Sequence, residues 1–222
     1  MKQLMVLLLY ERSYFMFKHY IWDFDGTLFD SYRHLSISFQ NALKDFGYNQ
    51  TTNEILTHMK VSVSNCISFY QKKYGLGEEL RERYKYYEEN VVIVPIKPYP
   101  YLKEVLTRIT ESGGKNYIYT HRDKSTMEYI RKFNLENYFT DAVTKEDNFP
   151  LKPAPDAILH LIKKYNMDTK TVIMVGDREI DIFAGHNANV CGCLFDPDNF
   201  FPELDVEFRV KSMKEFEEVL LK

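Results

Sequence analysis

The sequence predicts an open α/β sheet of parallel strands, interrupted straight after its first strand by a helical insert. Two observations carry that expectation. From Tyr20 onward short apolar runs alternate with helix-spaced stretches, the pattern of parallel strands joined by crossover helices. Between Ser31 and about Pro98 the alternation stops and only helical periodicity remains. Each main strand of the alternating part ends at or next to a polar residue, and ligands of open α/β sheets gather at the carboxyl ends of the strands.

The first strand runs from His19 to Trp22. In the insert, Leu35, Phe39, Ala42, Leu43 and Phe46 recur at helical spacing. Ile55, Met59, Val63, Ile67, Tyr70 and Tyr74 repeat the pattern, and then Leu80, Tyr84, Tyr87 and Val91, which predicts three helices with one apolar face each. Gly47, Gly75-Leu76-Gly77 and the cluster of Pro95, Pro98 and Pro100 punctuate them, the prolines forming a hinge back into the sheet. Helices are then expected at Leu102 to Ile109, Thr126 to Phe133, Ala157 to Tyr165 and Ile180 to Ala188. They alternate with strands at Asn116 to Tyr119, Thr171 to Val175 and Gly192 to Phe195, and with weaker ones at Ala142 to Thr144 and Glu207 to Val210. The organisation expected is an N-terminal extension over 1–15, an α/β core formed by 16–30 and 99–222, and the helical insert over 31–98.

Composition excludes several classes of partner. Over 222 residues, 29 Lys plus Arg against 32 Asp plus Glu leave a net charge of −3, with neither the basic footprint of a nucleic-acid binder nor a polybasic membrane patch. Cys66, Cys191 and Cys193 are an odd set without metal-type spacing, which disfavours a disulfide framework or a structural zinc and suits a reducing cytoplasm. The apolar run from Leu4 to Tyr10 is too short to span a bilayer. Glu11-Arg12-Ser13-Tyr14-Phe15 after it offers no small-x-small cleavage site, so export is not expected. Met16 opens a segment just before the first strand, and residues 1–15 therefore read as a dispensable extension.

Four polar groups sit where strands end. Asp23-Phe24-Asp25-Gly26-Thr27-Leu28 follows the first strand, and a turn at Gly26 lets both carboxylates face one pocket. Alone, such a motif is as often a solvated turn. Thr120, after Asn116-Tyr117-Ile118-Tyr119, offers a hydroxyl and following amides to an anionic oxygen, or simply a helix cap. Lys152, in Leu151-Lys152-Pro153-Ala154-Pro155-Asp156, is delivered from a proline-stiffened loop. Gly176-Asp177-Arg178-Glu179-Ile180-Asp181 places two acids one helical turn apart. Asp23, Asp25, Asp177 and Asp181 together make a carboxylate cluster that repels itself unless a cation sits in it. Hard oxygen ligands with room for water suit Mg²⁺.

The ordered set Asp-x-Asp-Gly-Thr-Leu, strand-end Thr, Lys-Pro-x-Pro and Gly-Asp-x-x-x-Asp resembles the haloacid dehalogenase superfamily from about Tyr20 to Asp196. The resemblance implies a Rossmann-like core, and the insert is similar to the C1 cap of phosphoglycolate-phosphatase-like and β-phosphoglucomutase-like members, a lid that closes over the site. It implies that Asp23 is the nucleophile that takes the phosphoryl group and that Asp25 is the general acid/base, with its backbone carbonyl on the metal. Thr120 and Lys152 correspond to the phosphoryl-oxygen ligands, and Asp177 and Asp181 to the magnesium acids. A halide leaves without a proton, and dehalogenases carry no acid at the position of Asp25, so Asp25 favours phosphoryl transfer.

A carboxylate nucleophile divides phosphoester hydrolysis into two easier steps, and Lys152, Thr120 and backbone amides balance charge on the transferring oxygens. His121 and Arg122 offer extra cations near the site, against a default of solvated helix-start residues. Arg33, His34 and Lys60 are candidates for substrate contact, against a default of helix-surface charge. Cys191 and Cys193 read as strand-edge packing. The expectation is a Mg²⁺-dependent phosphatase of a small phosphorylated metabolite. Its rivals are a phosphomutase with the same residues, a dehalogenase, and a binding module that has lost turnover.

Overall fold

A computed structural model describes residues 17–91 and 94–221, so the expected extension over 1–15 lies outside the described residues. In chain order β1 (His19–Trp22) leads to β2 (Phe29–Asp30), α1 (Tyr32–Asp45), α2 (Thr52–Met59), α3 (Val63–Tyr74), α4 (Glu79–Asn90) and β3 (Lys97–Pro98). There follow α5 (Leu102–Glu111), β4 (Lys115–Tyr119), α6 (Ser125–Lys132), β5 (Phe139–Val143) and α7 (Asp156–Tyr165). The chain ends on β6 (Val172–Gly176), α8 (Glu179–Asn187), β7 (Cys191–Phe195), β8 (Phe208–Val210) and α9 (Met213–Leu220). These elements form two units, one from residues 17–28 and 99–221 and the other from Phe29–Pro98.

The first unit is built on a six-stranded sheet in the order β5-β4-β1-β6-β7-β8, with every neighbouring pair parallel. The central strands read as continuous apolar runs because both of their faces are covered. Ile21, Tyr117 and Met174 pack with Ala157, Ile158 and Leu161 of α7 and Ala184 of α8. Tyr20 and Trp22 point the other way, where the Trp22 ring lies 4.9 Å from that of Phe216 on α9. The buried indole N–H of Trp22 donates to Asn116 Oδ1 at 2.9 Å. β1 lies between β4 and β6, with Trp22 opposite both Ile118 and Val175. That register brings the ends of three strands, and hence Asp23, Thr120 and Asp177, to one edge of the sheet.

The second unit is a helical cluster around Phe39, Leu43, Ile55, Met59, Ile67, Tyr70, Leu80 and Tyr84. Among the described residues it holds four helices where the periodicity predicts three. The stripe from Ile55 to Tyr74 is broken at Lys60–Ser62, where Ser62 is extended and its hydroxyl accepts from the Asn65 N–H. Met59 and Val63 are four residues apart, so the apolar register survives the break and hides it. α2 starts in a capping box between Thr51 and Glu54. Two further differences concern short or late elements. Phe29 pairs with Pro98 and Asp30 with Lys97 in an antiparallel two-stranded ladder inside a stretch that reads as helix and hinge. α9, announced by Ser212 accepting from the Glu215 N–H, is absent from the sequence expectations. Among the described residues no helix is long and apolar enough to cross a membrane.

Candidate active site

β1 delivers Asp23 and the turn after it separates the two acids. The Asp23 N–H donates to the Val175 carbonyl at 2.8 Å, which carries the strand one residue past its end. The Phe24 carbonyl then accepts from Leu28 at 3.1 Å while Gly26 sits at φ 78°, in the left-handed region that glycine enters without strain. Asp23 is thereby buried. Asp25 lies two residues on, within the turn, and its Oδ1 meets Arg122 Nη1 at 2.9 Å.

Lys152 joins the parts of the site contributed by distant segments. Its buried ammonium lies 2.6 Å from Asp23 Oδ1 and 2.8 Å from Asp181 Oδ1, and it donates to the Tyr119 carbonyl at 2.8 Å. The Tyr119 ring faces the same ammonium at 4.5 Å. Asp181 is fixed from behind, its Oδ2 accepting from the Arg178 N–H at 3.1 Å. The Thr27 hydroxyl donates to Asp177 Oδ1 at 3.4 Å. Gly176 makes room for the Asp181 side chain, with which a Cβ there would collide.

Burial pushes the Asp23 carboxyl up to about 7; Asp181 and Asp177 add to the rise, while Lys152 and Arg178 oppose it. Burial acts on Asp181 in the same sense, but Lys152 and Arg178 outweigh it and hold this carboxyl below its ordinary value. For Lys152 burial works against the charge, and Asp181 and Asp23 overcome it, so its pKa is raised. Three buried carboxylates thus share two cations, Lys152 and Arg178, which leaves an excess of negative charge.

That excess, and one orphaned atom, fit a divalent cation. Asp23, Asp177 and Asp181 each place a carboxylate oxygen within 4.8 Å of the others, and the buried Asp23 Oδ2 has no hydrogen-bond partner among the described residues. An oxygen-only donor set of this kind is what a hard cation takes. The Asp25 side chain is not in the cluster.

Thr120 is buried, its N–H donating to Val143 and its Oγ1 accepting from the Arg122 N–H at 3.1 Å. Neither residue after it is the solvated side chain that is the default for a helix start. His121 Nε2 accepts from the Lys152 N–H at 2.9 Å, which leaves the ring proton on Nδ1. Burial, then Lys152 and Arg178, lower its pKa to about 4, so His121 is neutral and adds no cation. Arg122 does bring a cation, and spends it on Asp25. In the helical unit Arg33 is exposed as expected. His34 departs from the surface default, its ring nitrogens 3.0 Å from the Val94 carbonyl and 3.2 Å from that of Glu88. So does Lys60, which sets its ammonium 4.2 Å over the Tyr32 ring. Burial raises the thiol pKa of Cys191 and Cys193, in keeping with packing rather than redox chemistry.

Three residues of this arrangement escape sequence reasoning. Thr27 and Arg178 lie inside quoted motifs, where their neighbours draw the attention. Tyr119 contributes a carbonyl, which no side-chain pattern announces.

Comparison with known proteins places the chain as a whole. The family profile of haloacid dehalogenase-like hydrolases matches residues 20–194. A phosphoglycolate phosphatase from Haemophilus influenzae is 30% identical over 190 residues, covering 80% of this chain and 83% of that protein. The crystal structure of a hydrolase from Streptococcus pneumoniae superposes with a TM-score of 0.66 at 26% identity, covering 93% of this chain and 99% of the other. A predicted phosphoglycolate phosphatase from Haemophilus somnus shares the fold at TM-score 0.78 and 20% identity, covering 91% and 97%.

Proposed function

The chain belongs to the haloacid dehalogenase-like hydrolases, and on that footing we propose that it is a Mg²⁺-dependent phosphatase of a small phosphomonoester, working through an aspartyl phosphate on Asp23. The observation that carries this reading is the state of Asp23: one carboxylate oxygen gripped by Lys152 and the other buried without a partner. A bare carboxylate in that place costs free energy unless a cation and an electrophile complete it.

In the first step Asp23 forms an O–P bond while the bond from phosphorus to the leaving alkoxide breaks, and Asp25 gives the alkoxide its proton. In the second, Asp25 takes a proton from water as that water attacks the phosphorus, which releases phosphate and restores Asp23. Lys152 fixes the nucleophile and meets the transferring oxygens, where the Thr120 hydroxyl and the His121 Nδ1–H add donors. Mg²⁺, held by Asp23, Asp177 and the Asp25 carbonyl with Asp181 in support, would screen the repulsion between carboxylate and phosphate. Asp181 also holds Lys152, its Oδ1 lying 2.8 Å from the ammonium. The Phe29–Pro98 unit acts as the cap in this reading, with specificity read by its side chains.

The test is phosphate release from a panel of small phosphomonoesters headed by phosphoglycolate, the substrate in the name of the Haemophilus influenzae relative. Release should need Mg²⁺, stop with EDTA and fall to background in Asp23→Asn. Turnover that survives Asp23→Asn, or chloride release from a haloacid, overturns the reading. Return of the phosphate to a rearranged sugar would make the protein a mutase.

A further inference from the structure

We propose that Arg122 is a positioning residue for the general acid/base, clamping Asp25 through one carboxylate oxygen so that the other is presented for proton exchange. The inference deepens the reading of Asp25 given above and rests on it. The guanidinium is held before it reaches Asp25. Its Nε donates to Ser125 Oγ at 3.1 Å, and its centre lies 5.7 Å from the Phe24 ring and 5.3 Å from the Tyr129 ring, whose centroids are 6.0 Å apart, so it caps this aromatic pair from one side. The backbone of Arg122 is tied down as well. Its N–H donates to Thr120 Oγ1 at 3.1 Å, and its carbonyl accepts from the Lys145 N–H at 3.0 Å. From this anchored base Nη1 donates to Asp25 Oδ1 at 2.9 Å, a charge-assisted bond between side chains 15% and 24% exposed.

The consequence follows from the turn at Gly26. Asp25 sits within that turn, outside the cluster of Asp23, Asp177 and Asp181, and no other ion pair to its side chain is present among the described residues. Without Arg122 its carboxylate would rotate about its own bonds. With Arg122 it has one orientation, Oδ1 occupied and Oδ2 left to give a proton to the leaving group and take one from water. A pair this close to solvent adds little to fold stability, so its effect belongs in the rate of proton transfer, where small displacements are costly. Thr120 Oγ1 accepts from the same residue's N–H, so Arg122 connects the phosphoryl-binding segment to the acid/base.

The experiment compares burst rates for an alkyl phosphate and for nitrophenyl phosphate, whose leaving group needs little protonation, in the full chain with Mg²⁺. Arg122→Ala should slow the alkyl phosphate burst by roughly 10–100-fold, slow the nitrophenyl burst much less, and leave KM within about twofold. Arg122→Lys keeps the charge but loses the planar fork and should fall between Arg122→Ala and the unaltered chain. Added guanidinium should restore part of the burst in Arg122→Ala. Arg122→Gln, which keeps bulk, serves where the alanine variant does not fold. Combining Arg122→Ala with Asp25→Asn should be no worse than Asp25→Asn alone. Equal losses for the two leaving groups in the Arg122 variants, or multiplicative losses in the double variant, overturn the positioning role. If Asp25→Asn itself shows no leaving-group dependence, the acid/base reading fails first and takes this inference with it.

Discussion

Both units have apolar cores, but they differ in what else they bury. In the α/β unit Asp23, Lys152 and Asp181 are buried at contacts of 2.6 and 2.8 Å, and each charge is tolerable only because of the others. The helical unit instead fills its centre with rings, Phe39 lying 5.5 Å from Tyr70 and 5.4 Å from Tyr84, and Tyr48 stacking on Tyr74 at 3.7 Å. Aromatic packing is tolerant, since one ring can be exchanged for another of similar volume at modest cost. A buried ion network is not, because removing one member strands the rest. The α/β unit therefore has few admissible sequences at its strand ends, while the helical unit is free to vary its surface over a generic core.

Substitution can separate these two kinds of stability. Lys152→Ala leaves Asp23 and Asp181 facing each other in a buried site and should cost about 3–5 kcal/mol in urea unfolding at pH 7 without metal. Phe39→Ala should cost a similar ~3–5 kcal/mol by opening a cavity in the helical unit. The two differ in what metal does: Mg²⁺ affinity, followed by calorimetry, should change in Lys152→Ala and stay the same in Phe39→Ala. Equal metal responses would erase the distinction.

Within the ion network the acids should rank by what they touch. Asp177→Ala should abolish Mg²⁺-dependent turnover. Asp181→Ala, acting through Lys152 and the backbone at Arg178, should lower it by roughly 10–100-fold, with Gly176→Ala resembling it because a Cβ there displaces Asp181. A loss in Asp181→Ala as complete as that in Asp177→Ala would make Asp181 a direct ligand.

The pH dependence has a definite sign. The folded protein binds a proton on Asp23 more tightly than the unfolded chain does, with a pKa of about 7 against an ordinary 3.8. The contribution of this group to stability therefore falls as pH rises from about 4 to about 7. A cation replaces that proton, so the increase in Tm on adding millimolar Mg²⁺ should be larger at pH 8 than at pH 5. An increase that shrinks with rising pH would remove Asp23 from the cation site. The smallest effect belongs to the helical unit, where Thr51→Ala removes the cap of α2 and should cost about 1 kcal/mol with no change in the Mg²⁺ response.

Legibility in the sequence follows the same division. The central strands and the residues that end them stand out because each is a mostly buried apolar run stopped by a polar residue. Asp23, Thr120 and Asp177 are legible in this way, and Lys152, which lies in the loop before α7, is legible from the prolines that frame it. The break between α2 and α3 is hidden because Met59 and Val63 keep the helical register across it, and α9 is short enough for its cap to pass unnoticed. The pairing of Asp25 with Arg122 joins residues 97 positions apart and depends on the turn at Gly26 and the rings of Phe24 and Tyr129. No local pattern encodes it.

The two-residue ladder of Phe29–Asp30 on Lys97–Pro98 also matters to how the chain finds its fold. For β1 to meet β4, Trp22 must come beside Ile118 across more than ninety intervening residues. Closing so long a loop costs conformational entropy that grows as the logarithm of its length. Once the ladder has formed, the whole insert hangs from it, and the contour left between β1 and β4 is only some twenty-five residues. By the same logarithm that shortening lowers the closure cost by about 1 kcal/mol, roughly a fivefold gain in the fraction of unfolded chains ready to zip up the middle of the sheet. The ladder lies outside the parallel sheet and acts as a basting stitch, drawing together the two ends of a loop that the sheet's own non-local pairings would otherwise have to close in full.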